Sequence, residues 1–379
     1  MNKTFFNAFL IAFCVLSLPC YLTAQTKKSK QTVVSIKGEK FYINGKLTYK
    51  GRKWQGHSIE GLLMNSRMVN GIFDDLNPET VSLWKYPGTQ KWDADRNTNE
   101  FVAAMDDWYA KGLLAFTLNL QGGSPSGYGN KGWINSAIDT NGALRPDYMF
   151  RLKKILDRAN EKGMVVILGI YYFGQEKYMK DETSVYKGVD NTIDWLFENN
   201  YRNVLIEVVN ETSPKGYKHE ILRSNRIHEM MDYIKAKKRN GYRFLVSTSY
   251  RGKVIPEEAV VKSSDFLLLH GNDVHDPAYI SEMVKKTKAV NGYRPMPIIF
   301  NEDDHFDFNK PSNNFVESIK ANASWGFFDF RASKGIRGSE IDEPFDEGFQ
   351  SIPVNWKISS ARKKEFFDKL EEITGGFND

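Results

Sequence analysis

The sequence predicts an α/β protein, a single (β/α)8 (TIM) barrel with a short N-terminal β-hairpin. Three observations carry this. Eight apolar, strand-like runs recur along the chain, mostly separated by amphipathic helical patterns. Several of those runs are almost continuously apolar, as a sheet covered by helices requires. No glycine-rich nucleotide loop follows the first strand, which sets aside the doubly wound open sheet, the main rival. With no internal repeat and no low-complexity linker, the 379 residues read as one large domain after a leader.

Residues 1–24 read as a signal peptide. Lys3 supplies the positive start, residues 5–18 are apolar but too short to span a bilayer comfortably, and Leu22-Thr23-Ala24 precedes a cut before Gln25. Acylation of Cys20 is the alternative, and Pro19 directly before it fits that poorly. Residues 25–32, with Lys27, Lys28 and Lys30, read as a flexible polar tail, and residues 33–379 as the barrel domain. Residues 33–49 carry the turn signals Lys37-Gly38 and Asn44-Gly45 and form the hairpin, placed on the barrel floor.

The strands follow in order. The first lies within residues 62–73, the second is 113–120, the third 164–171 and the fourth 203–210. The fifth is 243–249, the sixth 265–270, the seventh 297–301 and the eighth 325–331. Helices are expected over 100–111, 148–162, 219–235 and 363–373, with apolar residues on one face and glycines Gly112, Gly163 and Gly375 as stops.

Composition narrows the function. At 41% hydrophobic and 26% charged, the bulk of the chain is not disordered. The net charge of +5 falls close to neutral once leader and tail are set aside, with no basic stripe, so no nucleic-acid partner is expected. Both cysteines, Cys14 and Cys20, lie in the leader, so the mature chain has neither thiol catalysis nor cysteine-bound zinc. The leader implies export to periplasm, cell surface or medium, with no stable membrane insertion after cleavage. The oligomeric state leaves no mark on the sequence.

In a barrel the C-terminal strand ends face the active site. Read together they present Asn119 and Gln121, Tyr171-Tyr172, Asn210-Glu211, Ser249-Tyr250, His270 and Asn272, Glu302-Asp303-Asp304-His305, and Trp325 with Asp329. The informative pair is Glu211 and Glu302, on the fourth and seventh strands, which lie across the barrel mouth. Two carboxyls flanking one bond suit glycoside cleavage: one protonates the leaving oxygen, the other attacks the anomeric carbon or activates water. Repulsion and burial are expected to keep one of them protonated near neutral pH. Asn119, Tyr172 and Tyr250 are candidate sugar contacts by position. The loop tryptophans Trp54, Trp84, Trp92 and Trp133 are further stacking candidates. Glu207, in mid-strand, reads as a buried structural carboxylate.

Val209-Asn210-Glu211, followed about ninety residues later by Phe300-Asn301-Glu302, resembles clan A of the glycoside hydrolases, nearest to its family 5-like members. The resemblance covers roughly residues 61–375. It implies a retaining glycosidase with Glu211 as general acid/base and Glu302 as nucleophile, acting on an oligo- or polysaccharide without cofactor or metal. It further implies that Asn210 binds the sugar 2-hydroxyl, that His270 stands beside the nucleophile, that Trp325 forms a ring floor under the sugar, and that Arg67 holds the nucleophile. Gly61-Leu62-Leu63-Met64-Asn65, Asn119-Leu120-Gln121-Gly122-Gly123 and Asn301-Glu302-Asp303-Asp304-His305 are similar to a bacterial branch of such barrels, which implies no substrate. The Asp303-Asp304-His305 continuation departs from the commoner clan pattern. Two other readings stand beside this one: a metal-dependent barrel using Glu302, Asp303, Asp304, His305, His270 and His275, and a carbohydrate-binding barrel without catalysis.

Overall fold

The computed structural model describes residue 1 and residues 31–126, 132–329 and 344–377. The leader, the far side of the glycine-rich loop after the second barrel strand, and the end of the eighth strand lie outside the described residues. Among the described residues, no helix is long and apolar enough to cross a membrane.

The chain enters through a floor layer. Strands β1 (Val34–Lys37), β2 (Lys40–Ile43) and β3 (Lys46–Leu47) form an antiparallel meander, so the expected hairpin has a third strand. A two-residue ribbon, β4 (Lys53–Trp54) with β5 (His57–Ser58), follows. The meander meets the strand starts: the Val34 amide donates to the Arg202 carbonyl at 3.0 Å, and Phe41 meets Phe266 edge-on. Thr32, assigned to the flexible tail, is buried instead, its hydroxyl donating to the Asn160 carbonyl at 2.6 Å.

Eight strand–helix units then follow without interruption. They are β6 (Asn65–Arg67), α1 (Ala94–Ala110), β7 (Ala115–Asn119), α2 (Pro146–Lys162), β8 (Val165–Tyr171), α3 (Glu182–Glu198), β9 (Val204–Val209) and α4 (Ile227–Ala236). The second half is β10 (Leu245–Ser247), α5 (Glu258–Ser263), β11 (Leu267–His270), α6 (Ala278–Lys288), β12 (Ile298–Glu302), α7 (Asn314–Lys320), β13 (Gly326–Phe327) and α8 (Ala361–Thr374). Each barrel strand falls inside, or within one residue of, its expected run.

Parallel pairing runs β10-β9-β8-β7-β6-β13, with β11-β12 as a second parallel pair. The Asp265 amide joins β10 to β11 through the Val246 carbonyl at 3.0 Å. Bridges Ile299–Ser324 and Asp303–Phe327 join β12 to β13. The ring of eight barrel strands is thereby closed.

The helices form where the periodicity puts them. On α2 the buried face is Tyr148, Leu152, Ile155, Leu156 and Ala159, and Gly163 ends it in the left-handed conformation at φ 77°. Asp93 caps α1 by accepting from the Arg96 amide at 2.8 Å. The helix expected over 219–235 is shorter. Its first half is a 3-10 turn and loop, because its groups serve the strand-four loop: the Ser224 amide donates to the Ser213 carbonyl and Arg223 Nε to the Tyr217 carbonyl.

Candidate active site

Asn210-Glu211 directly follows strand β9, Glu302 closes strand β12, and the two acids meet over the barrel mouth. One carboxylate oxygen of Glu211, one of Glu302 and a ring nitrogen of His270 all lie within 4.8 Å of one another. His270, the last residue of β11, joins them: its Nδ1 is 3.0 Å from Glu211 Oε1 and 3.6 Å from Glu302 Oε2.

Arg67 enters from β6 and lies beneath both acids. Its Nε is 2.6 Å from Glu302 Oε2, its Nη2 donates to Asn210 Oδ1 at 2.7 Å, and its Nη1 is 4.0 Å from Glu207 Oε2. One guanidinium thus orients the Asn-Glu motif of one strand and the terminal glutamate of another, a use of its rigid planar fork. Asn272, two residues past His270, donates from Nδ2 to Glu302 Oε1 at 2.7 Å. Sequence reasoning placed Asn272 at a strand end but gave it no role. Ser249, at the end of the fifth strand run, is a second omission: its hydroxyl accepts from the Glu211 amide at 3.0 Å.

Glu211 takes the left-handed region at φ 55°. For a side chain that is not glycine, such strain costs about 1–3 kcal/mol and collects at functional positions. Ser249 holds that turn from both sides, since its carbonyl also accepts from the Thr212 amide at 2.8 Å.

The electrostatics correct one expectation. Burial raises the Glu211 carboxyl, but the hydrogen bond and charge of His270, with Arg67 and Arg251, outweigh it and hold the group below the ordinary value. His270 moves the other way: burial lowers it, and the charge of Glu302 and the bond to Glu211 carry it above the ordinary value. The contact thus favours the carboxylate at Glu211 and the imidazolium at His270. Glu211, expected as a candidate for the acid kept protonated, is instead held toward its charged form by these neighbours. Glu207 is fully buried, neither oxygen has a hydrogen-bond partner, and burial pushes its carboxyl up despite Arg67 and His270. It is the buried carboxylate the sequence suggested, placed under the site.

The expected sugar contacts divide. Tyr172 lies at the site, its ring stacked on Phe173 at 4.3 Å and its hydroxyl 3.0 Å from Ser124 Oγ. It lines a cavity of about 110 Å³ with Trp133, Gly123 and Gln175. Asn119 is buried with neither amide atom partnered, its side chain lying over Gly169. Tyr250 is turned away, its hydroxyl accepting from the Glu257 amide at 3.4 Å. His270 is wholly buried and contacts the glutamates rather than the open mouth.

Trp325 corrects the implied ring floor. It is fully buried, stacks on Phe315 of α7 at 4.8 Å and meets Phe366 of α8 at 6.1 Å. The indole is in the strand–helix layer because the residue precedes β13 and faces outward. Trp84 is likewise buried, its Nε1 donating to Asp75 Oδ2 at 2.7 Å, and Trp54 belongs to the floor ribbon. A larger cleft of about 330 Å³, between α1 and Phe345, Asn355 and Trp356, contains none of the strand-end acids.

Glu211, His270 and Glu302 are also a donor set that could surround a cation. The Arg67 guanidinium, 2.6 Å from Glu302, already supplies the positive charge there and opposes a second one.

No protein-family model and no curated protein sequence matches the chain. Among solved structures it is similar to a glycoside hydrolase family 5 protein from Bacteroides vulgatus, with TM-score 0.53 and 12% identity over 91% of this chain and 71% of that one. It is also similar to a variant of the family 5 mannosidase from Rhizomucor miehei (TM-score 0.51, 11% identity, 91% and 99% covered). A third is a broad-specificity endoglucanase from Clostridium longisporum (TM-score 0.51, 12% identity, 83% and 95% covered). The fold is therefore the barrel found in glycoside hydrolase family 5, a member of clan A.

Proposed function

We propose that this chain is an exported retaining glycoside hydrolase that cleaves O-glycosidic bonds in an oligo- or polysaccharide by double displacement. One observation carries the reading. Two glutamates from opposite strands present oxygens within 4.8 Å of each other and share His270. Retaining enzymes hold their carboxyls about 5–5.5 Å apart, whereas inverting ones leave room for a water between them.

Glu302 is the nucleophile, paired with Arg67 and Asn272. Its oxygen bonds the anomeric carbon as the glycosidic C–O bond breaks, and the leaving oxygen takes a proton from Glu211. That proton rests on His270 and crosses the 3.0 Å bond to Glu211 as negative charge moves from Glu302 into the new ester. Water then attacks the glycosyl ester, gives its proton through Glu211 back to His270 and frees the Glu302 carboxylate. Asn210, oriented by Arg67, binds the 2-hydroxyl, and Tyr172 with Trp133 offers an aromatic subsite. The printed names of the similar barrels, a mannosidase and an endoglucanase, favour mannosides and glucans for the first substrate panel.

The test is a panel of plant, algal and host glycans with products followed by NMR. Hydrolysis with retained anomeric configuration is expected, and its loss in Glu302→Gln with the fold intact. An inverted product, or undiminished turnover in that variant, overturns the mechanism.

A further inference from the structure

Beyond the glutamate cluster, two histidines stand on neighbouring rim loops. His275 lies between β11 and α6, and His305 between β12 and α7. His275 Nδ1 and His305 Nε2 are 3.4 Å apart, with ring centroids separated by 5.5 Å and planes inclined at 66°. Two nitrogens bound at about 2.0–2.1 Å to one tetrahedral zinc ion are about 3.4 Å apart, so this separation already matches the edge of such a site.

The other nitrogen of His305 strengthens the case. Its Nδ1 lies 2.8 Å from Asp303 Oδ1, the carboxylate–histidine arrangement that fixes the tautomer and leaves the Nε2 lone pair for a metal. Asp303 is fully buried and is itself fixed, by Asn314 Nδ2 at 3.0 Å and by the Trp325 indole at 2.9 Å. It approaches so closely over Gly271 that a Cβ there would fall 2.0 Å from its Oδ2. The support behind His305 is rigid, while His275 is exposed and His305 partly so, leaving a path for an ion. Asp304 Oδ1 lies 3.3 Å from the same His305 Nδ1, on the Asp303 side of the ring.

We propose that His275 Nδ1 and His305 Nε2 bind one zinc-class divalent cation, with solvent completing its shell. The ion clasps the loops that follow β11 and β12. These loops carry Asn272 and follow Glu302, so the clasp braces the pair that meets at 2.7 Å. Two imidazoles select zinc over calcium or magnesium, which favour all-oxygen shells. The site is separate from the catalytic reading and is detected without a substrate.

The full chain, stripped with chelator, is titrated calorimetrically with zinc chloride and its melting temperature followed with and without the metal. One ion per chain and a zinc-dependent rise in melting temperature are expected. His275→Ala and His305→Ala should each weaken binding at least tenfold, and Glu211→Gln should leave it unchanged. His275 is exposed, so its replacement does not endanger folding. Zinc affinity unaltered in both histidine variants, binding lost in Glu211→Gln instead, or a preference for calcium overturns the proposal.

Discussion

The ends of strands β9 and β12 carry the same residue type and are built differently. Glu302 closes a regular strand, is almost wholly buried, and has both oxygens occupied by Arg67 and Asn272. Glu211 lies two residues past β9 in the left-handed region, is part-exposed, and has its contact through His270. A group that must attack one carbon gains from being fixed, because its alignment is then set in advance. A group that takes and returns a proton gains from a titratable neighbour and access to solvent. The proposed nucleophile and the proposed acid/base are thus distinguished by their surroundings.

Four substitutions test that contrast, from the largest effect to the smallest. Glu302→Gln should lower kcat by about 10⁴-fold or more on every substrate, because no other group replaces a nucleophile. Glu211→Gln should cost about 10²–10⁴-fold on natural glycans, and much less at the bond-breaking step of aryl glycosides whose leaving group needs no proton. Equal losses on both substrate types would erase the distinction. Asn272→Ala removes one hydrogen bond to a charged group, about 1.5–3 kcal/mol, so kcat/KM should fall about 10–100-fold.

His270→Asn tests where the proton rests. In the native protein the raised imidazole places the alkaline limb of kcat/KM above pH 6.5, and the variant should move it to lower pH. The stability linkage has a defined sign. The His270 contribution is complete below the ordinary value of 6.5 and is lost as pH rises through its elevated folded value. The Glu211 contribution is complete above 4.5 and is lost as pH falls through its depressed folded value. Melting temperatures across pH should therefore lose their alkaline decline in the variant, and an unchanged profile in both measurements would place the proton elsewhere. As a control on the outward layer, Trp325→Phe leaves a buried Asp303 oxygen short of a donor, at about 1–3 kcal/mol of stability read by denaturant midpoint. KM should not change, and a raised KM would return the indole to the sugar site.

Particular elements show how far the sequence reached. The apolar run over 164–171 and the glycine at 163 are local signals, and they put β8 and the end of α2 where they lie. Asn210-Glu211 and Glu302 were legible because each stands at a strand end of known ordinal. What Asp303 and Asp304 do beside Glu302 was not legible in the sequence. In the structure Glu302 reaches Arg67, while Asp303 reaches Trp325 and Asn314 on the helix side. Which neighbour faces inward depends on the register at closure, where β12 meets β13 through the Asp303–Phe327 bridge.

Sequence alone determined the strand–helix alternation, the barrel and the two glutamates, because periodicity and strand order are properties of the chain as written. Tertiary structure decided which oxygens meet, that Asn272 and Ser249 serve them, that His270 joins the two glutamates, and that Trp325 belongs to the outer layer. Those outcomes depend on distances between segments far apart in the chain. Only the closed ring brings Arg67, Glu211, His270 and Glu302 close enough for one residue to set the charge of another.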